Sequence, residues 1–348
     1  MNTTARAPLT ATRVVLPGLV EPSGLQVESF VVDAPGPGQL LVKVEATGIS
    51  FAEQSMRRGR YFGQPAFPFV PGYDIVGTVL QVGDGVDPTL LGQRVATMTK
   101  TGGWTTHAVV AAIDSIVVPA GIEPADAETV VVNGVTAWQM LHRSARVKPG
   151  QTILVHGANS GVGGILIQLA QREGIRVIGG ASPRHHEVLR AVGVEPVDYA
   201  DPHFAERVRE LAPEGVDAVF DNIGGPMART SFELLTRGGT LVCFAIVGIA
   251  GGSGGLVMHF VAAIGRVMVW NALPNGRRAR FYDLWAGHKT RPKRFRAHLE
   301  DDLAQVFALL ADGTIKANIA ARFPLEEAAA ALTLAESRTL NGKVILLP

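Results

Sequence analysis

The stretch VKPGQTILVHGANSGVGGILIQLA, residues 147–170, decides how the rest of the chain is interpreted. Thr152–His156 has the apolar pattern of a short buried strand, residues 157–164 form a glycine-rich turn, and residues 165–171 continue as an apolar helix. Glycines let a backbone approach a pyrophosphate closely, and the free N–H groups and dipole of a helix N-terminus face its negative charge. A second strand pattern, Arg176–Gly180, follows at the distance a parallel crossover requires. The pattern predicts a dinucleotide site, although a tight turn that binds nothing has the same local sequence.

The chain on either side of this stretch changes character near residue 125. Before that point it consists of short β-type runs separated by glycine and proline, such as residues 40–46 and Asp74–Val82, which favours a small irregular barrel. Beyond it, strand and helix patterns alternate, as in a doubly wound parallel sheet. The last strand pattern, Lys343–Leu347, has no obvious place in that sheet, so we expect it to return to the first domain. Ligands bind at the carboxyl ends of parallel strands, which predicts an active site in the cleft between two domains.

Composition excludes several classes of protein. The 348 residues are 47% hydrophobic and 18% charged with a net charge of +1, which is typical of a two-domain α/β enzyme and does not indicate a nucleic-acid partner. Cys243 is the only cysteine, so neither a disulfide framework nor a cysteine-built zinc site can form. The longest apolar region, residues 256–273, is interrupted by polar residues, and the N-terminus lacks a signal-peptide pattern. We therefore expect a cytoplasmic protein without a membrane span.

An ordered set of motifs covers nearly the whole chain and is more specific than any one of them. The motifs are GISFAEQSMRRGRY (48–61), PFVPGYDIVGTV (68–79), GQRV (92–95), GGWTTHAVV (102–110), VHGANSGVG (155–163), GVDAVFDNIGG (215–225) and NGKVILLP (341–348). Together they resemble the zinc-independent quinone oxidoreductase-like branch of the medium-chain dehydrogenase/reductase superfamily. The resemblance implies an α/β fold, in which a GroES-like β-barrel domain is joined to a Rossmann doubly wound parallel-sheet domain. It places the catalytic domain at residues 1–130, the NADP-binding domain at 131–288 and the return to the catalytic domain at 289–348, and it implies a homodimer.

The resemblance also bears on metal chemistry. Zinc alcohol dehydrogenases of this superfamily take catalytic ligands from a cysteine and a Gly-His-Glu segment, and the matching positions here are Ser50 and Tyr73–Asp74. We therefore predict no metal site. Hydride addition to an isolated carbonyl builds a localised alkoxide that usually needs a Lewis acid or a strong proton donor. A quinone or enone spreads the charge, so hydrogen bonds can stabilise it, and the sequence favours such conjugated acceptors.

The end of the second dinucleotide strand indicates which nicotinamide cofactor is used. NAD sites commonly carry an acidic residue there, whereas this chain has Ala181 and no acid from residue 174 to 186. Ser182 and Arg184 follow, and a hydroxyl and a guanidinium suit the 2′-phosphate of NADPH. Tyr199 matches a family tyrosine beside that phosphate. The alternative is that Arg184 and its neighbour His185 merely face water at a helix start.

Further cofactor contacts follow from the resemblance and from the glycine turn. They are Ala158, Asn159, Ser160, Gly161, Val162 and Gly163 in the turn, and Thr136, Asn222, Phe244, Ala245 and Lys343 elsewhere. Several have an ordinary structural alternative: Thr136 as a helix cap, Asn222 as a turn residue and Phe244 as core.

Two residues are predicted to be catalytic. Tyr61 aligns with a family tyrosine beside the nicotinamide, where a phenol can donate a hydrogen bond or a proton to a developing enolate; alternatively it is an aromatic lid without proton chemistry. Ser50 stands where quinone reductases usually have asparagine, and Glu53 where they have aspartate, which suggests a changed pocket. Phe51 and Tyr73 are predicted to bind substrate as pocket walls, or else to belong to the barrel core.

These features predict an NADPH-dependent, zinc-independent reductase that transfers a hydride to quinones or to the activated C=C bonds of α,β-unsaturated ketones. Its partner would be a small-molecule substrate. One alternative is an enoyl-thioester reductase or a tailoring reductase in a biosynthetic pathway. Another, of a different class, is an NADPH-binding structural or interaction protein with little turnover.

Overall fold

The computed structural model describes residues 9–244 and 256–348, which form an α/β fold with two larger sheets. The strands are β1 (Thr10–Val15), β2 (Gln26–Val31), β3 (Gln39–Ile49), β4 (Asp74–Val82), β5 (Arg94–Met98), β6 (His107–Ala111), β7 (Ser115–Val117), β8 (Thr152–His156), β9 (Arg176–Gly180), β10 (Glu195–Val197), β11 (Val216–Asp221), β12 (Leu235–Cys243), β13 (Arg278–Phe281), β14 (Ile319–Pro324) and β15 (Lys343–Leu347). The helices are α1 (Phe51–Arg57), α2 (Pro124–Trp138), α3 (Gly161–Arg172), α4 (His186–Ala191), α5 (Phe204–Leu211), α6 (Gly225–Glu233), α7 (Leu256–Ala272), α8 (Pro292–Ala311) and α9 (Ala328–Glu336). Within the described ranges, none of these helices is long and apolar enough to cross a membrane.

The Rossmann sheet has six parallel strands in the order β10-β9-β8-β11-β12-β13. The chain reverses its direction of travel across the sheet between β8 and β11, which makes that pair the topological switch point where such sheets bind ligands. The central strands are apolar on both faces because helices cover them, as the fully buried residues 153–156 of β8 show. The glycine turn follows β8 directly, so it lies at the binding edge.

The second large sheet is the GroES-like barrel, with strand order β14-β15-β3-β4-β5-β7 and with β6 paired to β3. The terminal strand β15 lies antiparallel to β3, with Val344 opposite Ile49. The expected return of Lys343–Leu347 to the first part of the fold is therefore confirmed. The structure adds β14, which pairs in parallel with β15.

Helix α2 joins the two sheets. It contacts β3, β4 and β15 of the barrel on one side and α3 and α8 on the other, and twelve of its fifteen residues are buried. Its apolar residues, such as Val130 and Val135, belong to one hydrophobic cluster with Val155 of β8 and Val76 of β4. One continuous core therefore fixes the barrel against the nucleotide-binding sheet and sets the geometry of the crevice.

Several element bounds differ from the sequence patterns. The helical pattern over residues 125–143 is α2 followed by wider π-helical turns at Gln139–Ala145. The sequence pattern predicts a helix over residues 228–235, whereas α6 begins three residues earlier, at Gly225, because Pro226 suits the first helical turn, where its missing N–H costs nothing. The strand β14 was missed because Ile319–Pro324 is only partly buried and does not alternate clearly.

Candidate active site

The glycine turn is built so that helix α3 can start directly beneath the end of β8. Ser160 caps the helix, its side-chain oxygen accepting the Gly163 N–H at 3.0 Å. A Cβ on Gly163 would lie 2.3 Å from the Gly157 carbonyl oxygen, so only glycine permits this close packing. The N–H groups of Gly161 and Val162, at the first helical positions, have no acceptor within the helix, and they lie at the carboxyl end of β8. A phosphate site at this turn stays a prediction.

Neighbouring segments hold the turn in place. Ala158 is fully buried, and its N–H donates to the Gly180 carbonyl at 3.2 Å. Asn159 Nδ2 donates to the carbonyl of Leu340 at 3.2 Å, which connects the turn to the segment before β15. A Cβ on Gly161 would lie 2.4 Å from Asn133 Nδ2 of α2.

The residues predicted to face an adenosine 2′-phosphate lie together after β9. The Ser182 hydroxyl and the Tyr199 hydroxyl are 3.1 Å apart, and Arg184 is exposed in the short turn before α4. His185 is buried, and its burial and the charge of Arg184 lower its pKa below the ordinary value. His185 therefore adds no charge at neutral pH, and Arg184 is the cation available to a phosphate in this turn.

Three aromatic side chains meet across the crevice. The phenolic oxygens of Tyr61 and Tyr73 are 2.6 Å apart, and Trp285 Nε1 donates to the Tyr73 oxygen at 2.5 Å. The rings of Tyr61 and Tyr73 meet edge to face at 6.0 Å, and those of Tyr73 and Trp285 at 5.9 Å. Tyr73 precedes β4 of the barrel and Trp285 follows β13 of the Rossmann sheet, so this contact bridges the two sheets.

The directions of the hydrogen bonds among Tyr61, Tyr73 and Trp285 favour Tyr61 as a donor to the substrate. An indole N–H can only donate, so the Tyr73 oxygen accepts from Trp285 and its own O–H is available for Tyr61. The Tyr61 proton is then left to point toward a substrate. Burial raises the pKa of Tyr61 to about 12, so the phenol keeps its proton at neutral pH.

Ser50 lies at the start of α1, where it forms a capping box with Glu53. The Ser50 side-chain oxygen accepts the Ala52 N–H at 3.0 Å and lies 2.5 Å from Glu53 Oε2, which also accepts the Ser50 N–H at 2.8 Å. The Glu53 side chain is buried, and its charge contributes to raising the pKa of Tyr61 and of Tyr73. Glu53 is therefore hydrogen-bonded to Ser50 and electrostatically coupled to the two tyrosines.

Lys343 lies behind this group rather than in the open crevice. Its Nζ is 2.6 Å from Glu128 Oε1 and 3.1 Å from Asp74 Oδ2, and all three side chains are buried. Asp74 Oδ2 also accepts the Val132 N–H of α2 at 3.2 Å. A Cβ on Gly48 would lie 2.4 Å from both Glu128 Oε1 and Lys343 Cε, so the ion group requires glycine there.

The remaining predicted residues occupy different environments. Thr136 is buried on α2, and Phe51 is half-buried at the first position of α1. Asn222 follows β11 and contacts the glycine turn, since a Cβ on Gly157 would lie 2.5 Å from its Nδ2. Phe244 packs into the main hydrophobic cluster, while Val162 is half-buried against it. Ala245 lies outside the described residues.

Sequence reasoning missed Trp285, the buried state of Glu53 and the role of Gly48. A single tryptophan after a strand carries no positional signal, because its partner Tyr73 is more than 200 residues away along the chain. The burial of Glu53 was not evident either; the S-x-x-E spacing of Ser50 and Glu53 is the one local signal that could have indicated their capping box.

Comparisons with known proteins agree with this geometry. The family model described as "Alcohol dehydrogenase GroES-like domain" matches residues 36–132, and the one described as "Zinc-binding dehydrogenase" matches residues 193–346. The chain is 30% identical over 333 residues to the human protein named synaptic vesicle membrane protein VAT-1 homolog. The match covers 93% of this chain and 82% of that protein. A crystal structure of Escherichia coli quinone oxidoreductase complexed with NADPH superposes with a TM-score of 0.84 at 26% identity, covering 97% of this chain and 100% of that one.

The chain belongs to the zinc-independent, quinone oxidoreductase-like branch of the medium-chain dehydrogenase/reductase superfamily. It is thus an oxidoreductase of that superfamily, and the GroES-like and Rossmann architecture is confirmed. A relative of another kind is the phthioceranic/hydroxyphthioceranic acid synthase of Mycobacterium bovis, 31% identical over 330 residues; the match covers 92% of this chain and 14% of the synthase. Within the described ranges, no group of three or more histidine, cysteine, aspartate or glutamate side chains is arranged to hold a metal ion.

Proposed function

We propose that this oxidoreductase reduces quinones or the activated C=C bonds of α,β-unsaturated ketones with NADPH and without a metal. The observation that carries the proposal is the hydrogen-bonded group of Tyr61, Tyr73 and Trp285, which offers a phenol O–H in the crevice between the sheets. A conjugated acceptor gains a delocalised charge on hydride addition, and one or two hydrogen bonds stabilise such a charge.

The residues present fit NADPH. The capped N-terminus of α3 at the switch point suits the diphosphate, held by residues 158–163, and Ser182, Tyr199 and Arg184 suit the 2′-phosphate. The Escherichia coli relative, complexed with NADPH, supports the same cofactor here. When bound, NADPH supplies the hydride. Thr136 and Asn222 would border the nicotinamide end, because α2 and β11 flank the crevice.

The chain's own residues then handle the developing negative charge. Tyr61 donates its O–H to the substrate oxygen, and Tyr73 and Trp285 hold the phenol in that orientation. The Ser50 hydroxyl provides a second donor at the start of α1. Phe51 and the Tyr73 ring would exclude water from the reacting atoms, which strengthens these hydrogen bonds.

An enoyl-thioester reductase is the second candidate, and one observation favours it. Lys100 Nζ lies 5.7 Å from the centroid of the Tyr61 ring, so a cation stands near the mouth of the predicted pocket. An extended acyl-thioester with a phosphate-bearing carrier would need such a charge. The similarity to a mycobacterial acid synthase is consistent with this alternative. An NADPH-binding protein with little turnover is the third candidate.

The domain bounds 1–130, 131–288 and 289–348, a homodimer and a cytoplasmic location stay predictions. For the dimer, the edge strand β13 and the exposed Met268 and Val269 of α7 provide a surface for a second copy.

A substrate panel tests the proposal. NADPH and NADH oxidation is followed with menadione, methyl vinyl ketone, a crotonyl thioester and a simple aldehyde, with and without a chelator. We expect turnover of menadione or the enone with NADPH, unaffected by the chelator. Turnover of only the aldehyde, lost with the chelator, contradicts the metal-free reaction. Preference for the thioester supports the second candidate, and tight NADPH binding without any turnover supports the third.

A further inference from the structure

Four ionisable side chains lie buried behind the tyrosine pair: Glu53, Asp74, Glu128 and Lys343, here called the acid cluster. Each is at most 4% exposed. Lys343 forms ion pairs with Asp74 and Glu128, and the charge of Asp74 reaches Glu53. Asp74 and Glu128 therefore share a single ammonium, and Glu53 lies in the field of Asp74 without a cation of its own.

Charge balance requires the acid cluster to hold protons. If every group were ionised, negative charges would outnumber the positive one in the protein core, and each unpaired buried charge costs several kcal/mol. Asp74 and Glu128 both contact Lys343, whereas Glu53 has no hydrogen bond or ion pair to a cation among the described residues. Glu53 therefore has no cation to offset a charge, and Glu128, whose Oε2 is buried without a hydrogen-bond partner and whose pKa burial raises well above its ordinary value, is the other carboxyl favoured to hold a proton.

The hydrogen bonds of Glu53 fit a carboxylic acid. Its Oε2 contacts the Ser50 hydroxyl and N–H, while its buried Oε1 has no hydrogen-bond partner. A charged carboxylate would leave that oxygen unsolvated, whereas the carbonyl oxygen of an acid tolerates this better. Burial raises the pKa of Glu53 against the lowering effect of its bonds to Ser50, and the charge of Asp74 raises it further.

Ser50 connects this proton to the predicted substrate site. A hydroxyl has one proton and two lone pairs. The Ser50 oxygen accepts the Ala52 N–H, and its hydroxyl donates to Glu53 Oε2 when that carboxyl is ionised; a protonated Glu53 would reverse the second bond and donate to the other Ser50 lone pair, which would leave the Ser50 proton free for the substrate. Ser50 is only half-buried, whereas Glu53 is enclosed.

We propose that Glu53 is a positioning residue that stores the proton for the reduced substrate and delivers it through the Ser50 hydroxyl. The step rests on the proposed function. With an enone, the hydride adds to the β-carbon and the electron pair of the C=C bond moves toward the carbonyl, which gives an enolate. The enolate α-carbon takes the Ser50 proton as the Ser50 oxygen takes the Glu53 proton. Water then returns a proton to the Glu53 carboxylate.

The delivery step should matter more for enones than for quinones. Protonation of an enolate carbon needs a placed acid, to which general acid catalysis contributes about 100-fold or more. The oxygen of a reduced quinone exchanges protons with water readily. The two substrates therefore separate proton delivery from hydride transfer.

A readout independent of activity tests whether Glu53 carries a proton. Glu53→Gln keeps the capping box, because glutamine also accepts the N–H of the capping residue. We expect the infrared difference spectrum between wild type and this variant at neutral pH to contain the carbonyl stretch of a protonated carboxylic acid. Carboxylate bands in its place overturn the proposal. Glu53→Ala, which loses the capping box, measures how much the capping box contributes to the stability of the fold.

Kinetics then test delivery. With methyl vinyl ketone, kcat of the wild type should fall on the alkaline side as Glu53 ionises. The titratable groups Asp74, Tyr61 and Tyr73 also contribute to the electrostatic field at Glu53. We expect Glu53→Gln to lower kcat about 100-fold and to remove this alkaline limb, with menadione reduction changed less than about threefold. Ser50→Ala should slow both substrates, because it removes the second donor to the substrate oxygen, but it should slow the enone more, because proton delivery is lost as well; Ser50→Thr, which keeps the hydroxyl, should restore most of the rate.

The outcomes distinguish failure of the delivery step from failure of the proposed function. An unchanged pH profile and rate with the enone in Glu53→Gln overturns the delivery step alone. Equal losses with both substrates also overturn it, because they indicate a structural effect. Absence of turnover by the wild type with every acceptor overturns the proposed function and the delivery step with it.

Discussion

The indole Nε1 of Trp285 donates to the phenolic oxygen of Tyr73 at 2.5 Å, and this bond connects the segment after the last Rossmann strand to the barrel. Tyr73 in turn lies 2.6 Å from Tyr61, the predicted proton donor. Burial raises the pKa of Tyr73 above its ordinary range, so it stays protonated and can donate to Tyr61. A residue of the nucleotide-binding part thus orients a phenol on the barrel.

Removing the indole N–H should weaken that orientation without opening the pocket. We expect Trp285→Phe to lower kcat about fivefold, the value of one neutral hydrogen bond of about 1 kcal/mol, with little change in the NADPH dissociation constant. Steady-state kinetics measure kcat, and cofactor fluorescence measures the NADPH dissociation constant. Trp138→Phe, a matched change away from the tyrosines, should leave both unchanged. An equal loss in both variants contradicts the orienting role.

Arg184 should determine the preference for NADPH. We expect Arg184→Gln to weaken NADPH binding about tenfold, because an exposed guanidinium contributes about 1.4 kcal/mol to a phosphate, and to leave NADH binding unchanged. Titration calorimetry with both cofactors measures this. Arg190→Gln, also exposed and in the adjacent helix α4, serves as the control. If both variants lose NADPH affinity equally, general electrostatic attraction is the cause and no specific contact exists.

Gly48 should be intolerant of any side chain. In Gly48→Ala the new Cβ would lie 2.4 Å from Glu128 Oε1 and from Lys343 Cε, so the buried ion group must move. We expect a loss of about 3 kcal/mol in the free energy of unfolding, measured by urea denaturation. Gly18→Ala is the matched control, since a Cβ there meets nothing within 4 Å. A loss below about 0.5 kcal/mol would show that the group repacks freely.

His156 should make stability depend on pH on the acid side. It is fully buried, its Nε2 lies 2.9 Å from Ser231 Oγ, and burial lowers its pKa despite the nearby charge of Asp221. The unfolded chain therefore binds a proton more readily than the native one as pH falls below the ordinary histidine pKa. Native stability is fully present above about pH 6.5 and falls by up to about 1.4 kcal/mol per pH unit below it.

Denaturant titrations between pH 7 and pH 5 measure this slope. His156→Gln should reduce it, whereas His203→Gln, on the exposed surface, should not. A slope unchanged in His156→Gln would assign the acid sensitivity to other groups.

The sequence predicted those parts of the fold and site that depend on local patterns. Thr152–His156 and Asp74–Val82 have the predicted bounds because each is a clean apolar run between turn residues. The Ser182–Tyr199 contact agrees with the sequence analysis and the family resemblance, which together assigned both residues to the same phosphate; in the structure they follow the neighbouring strands β9 and β10.

Features that depend on contacts between distant parts of the chain could not be predicted from the sequence. The barrel packs against the parallel sheet through α2, and this packing buries Glu53 and brings Trp285 to Tyr73. No local sequence pattern encodes this packing. Lys343 illustrates the difference: its motif was recognised, but its ion pairs with Glu128 and Asp74 became apparent only in the structure.

The position of β15 has a consequence for biosynthesis. In the barrel, Val344 pairs with Ile49 across a chain separation of roughly 300 residues, and β14 joins the sheet only through β15. A ribosome therefore releases every strand of the Rossmann sheet before it releases the strand that finishes the barrel. The nucleotide-binding part can fold during translation, while residues 47–49 of β3 lack their β15 partner until the chain is complete. Chaperone dependence of the nascent protein should accordingly be concentrated in its first hundred or so residues.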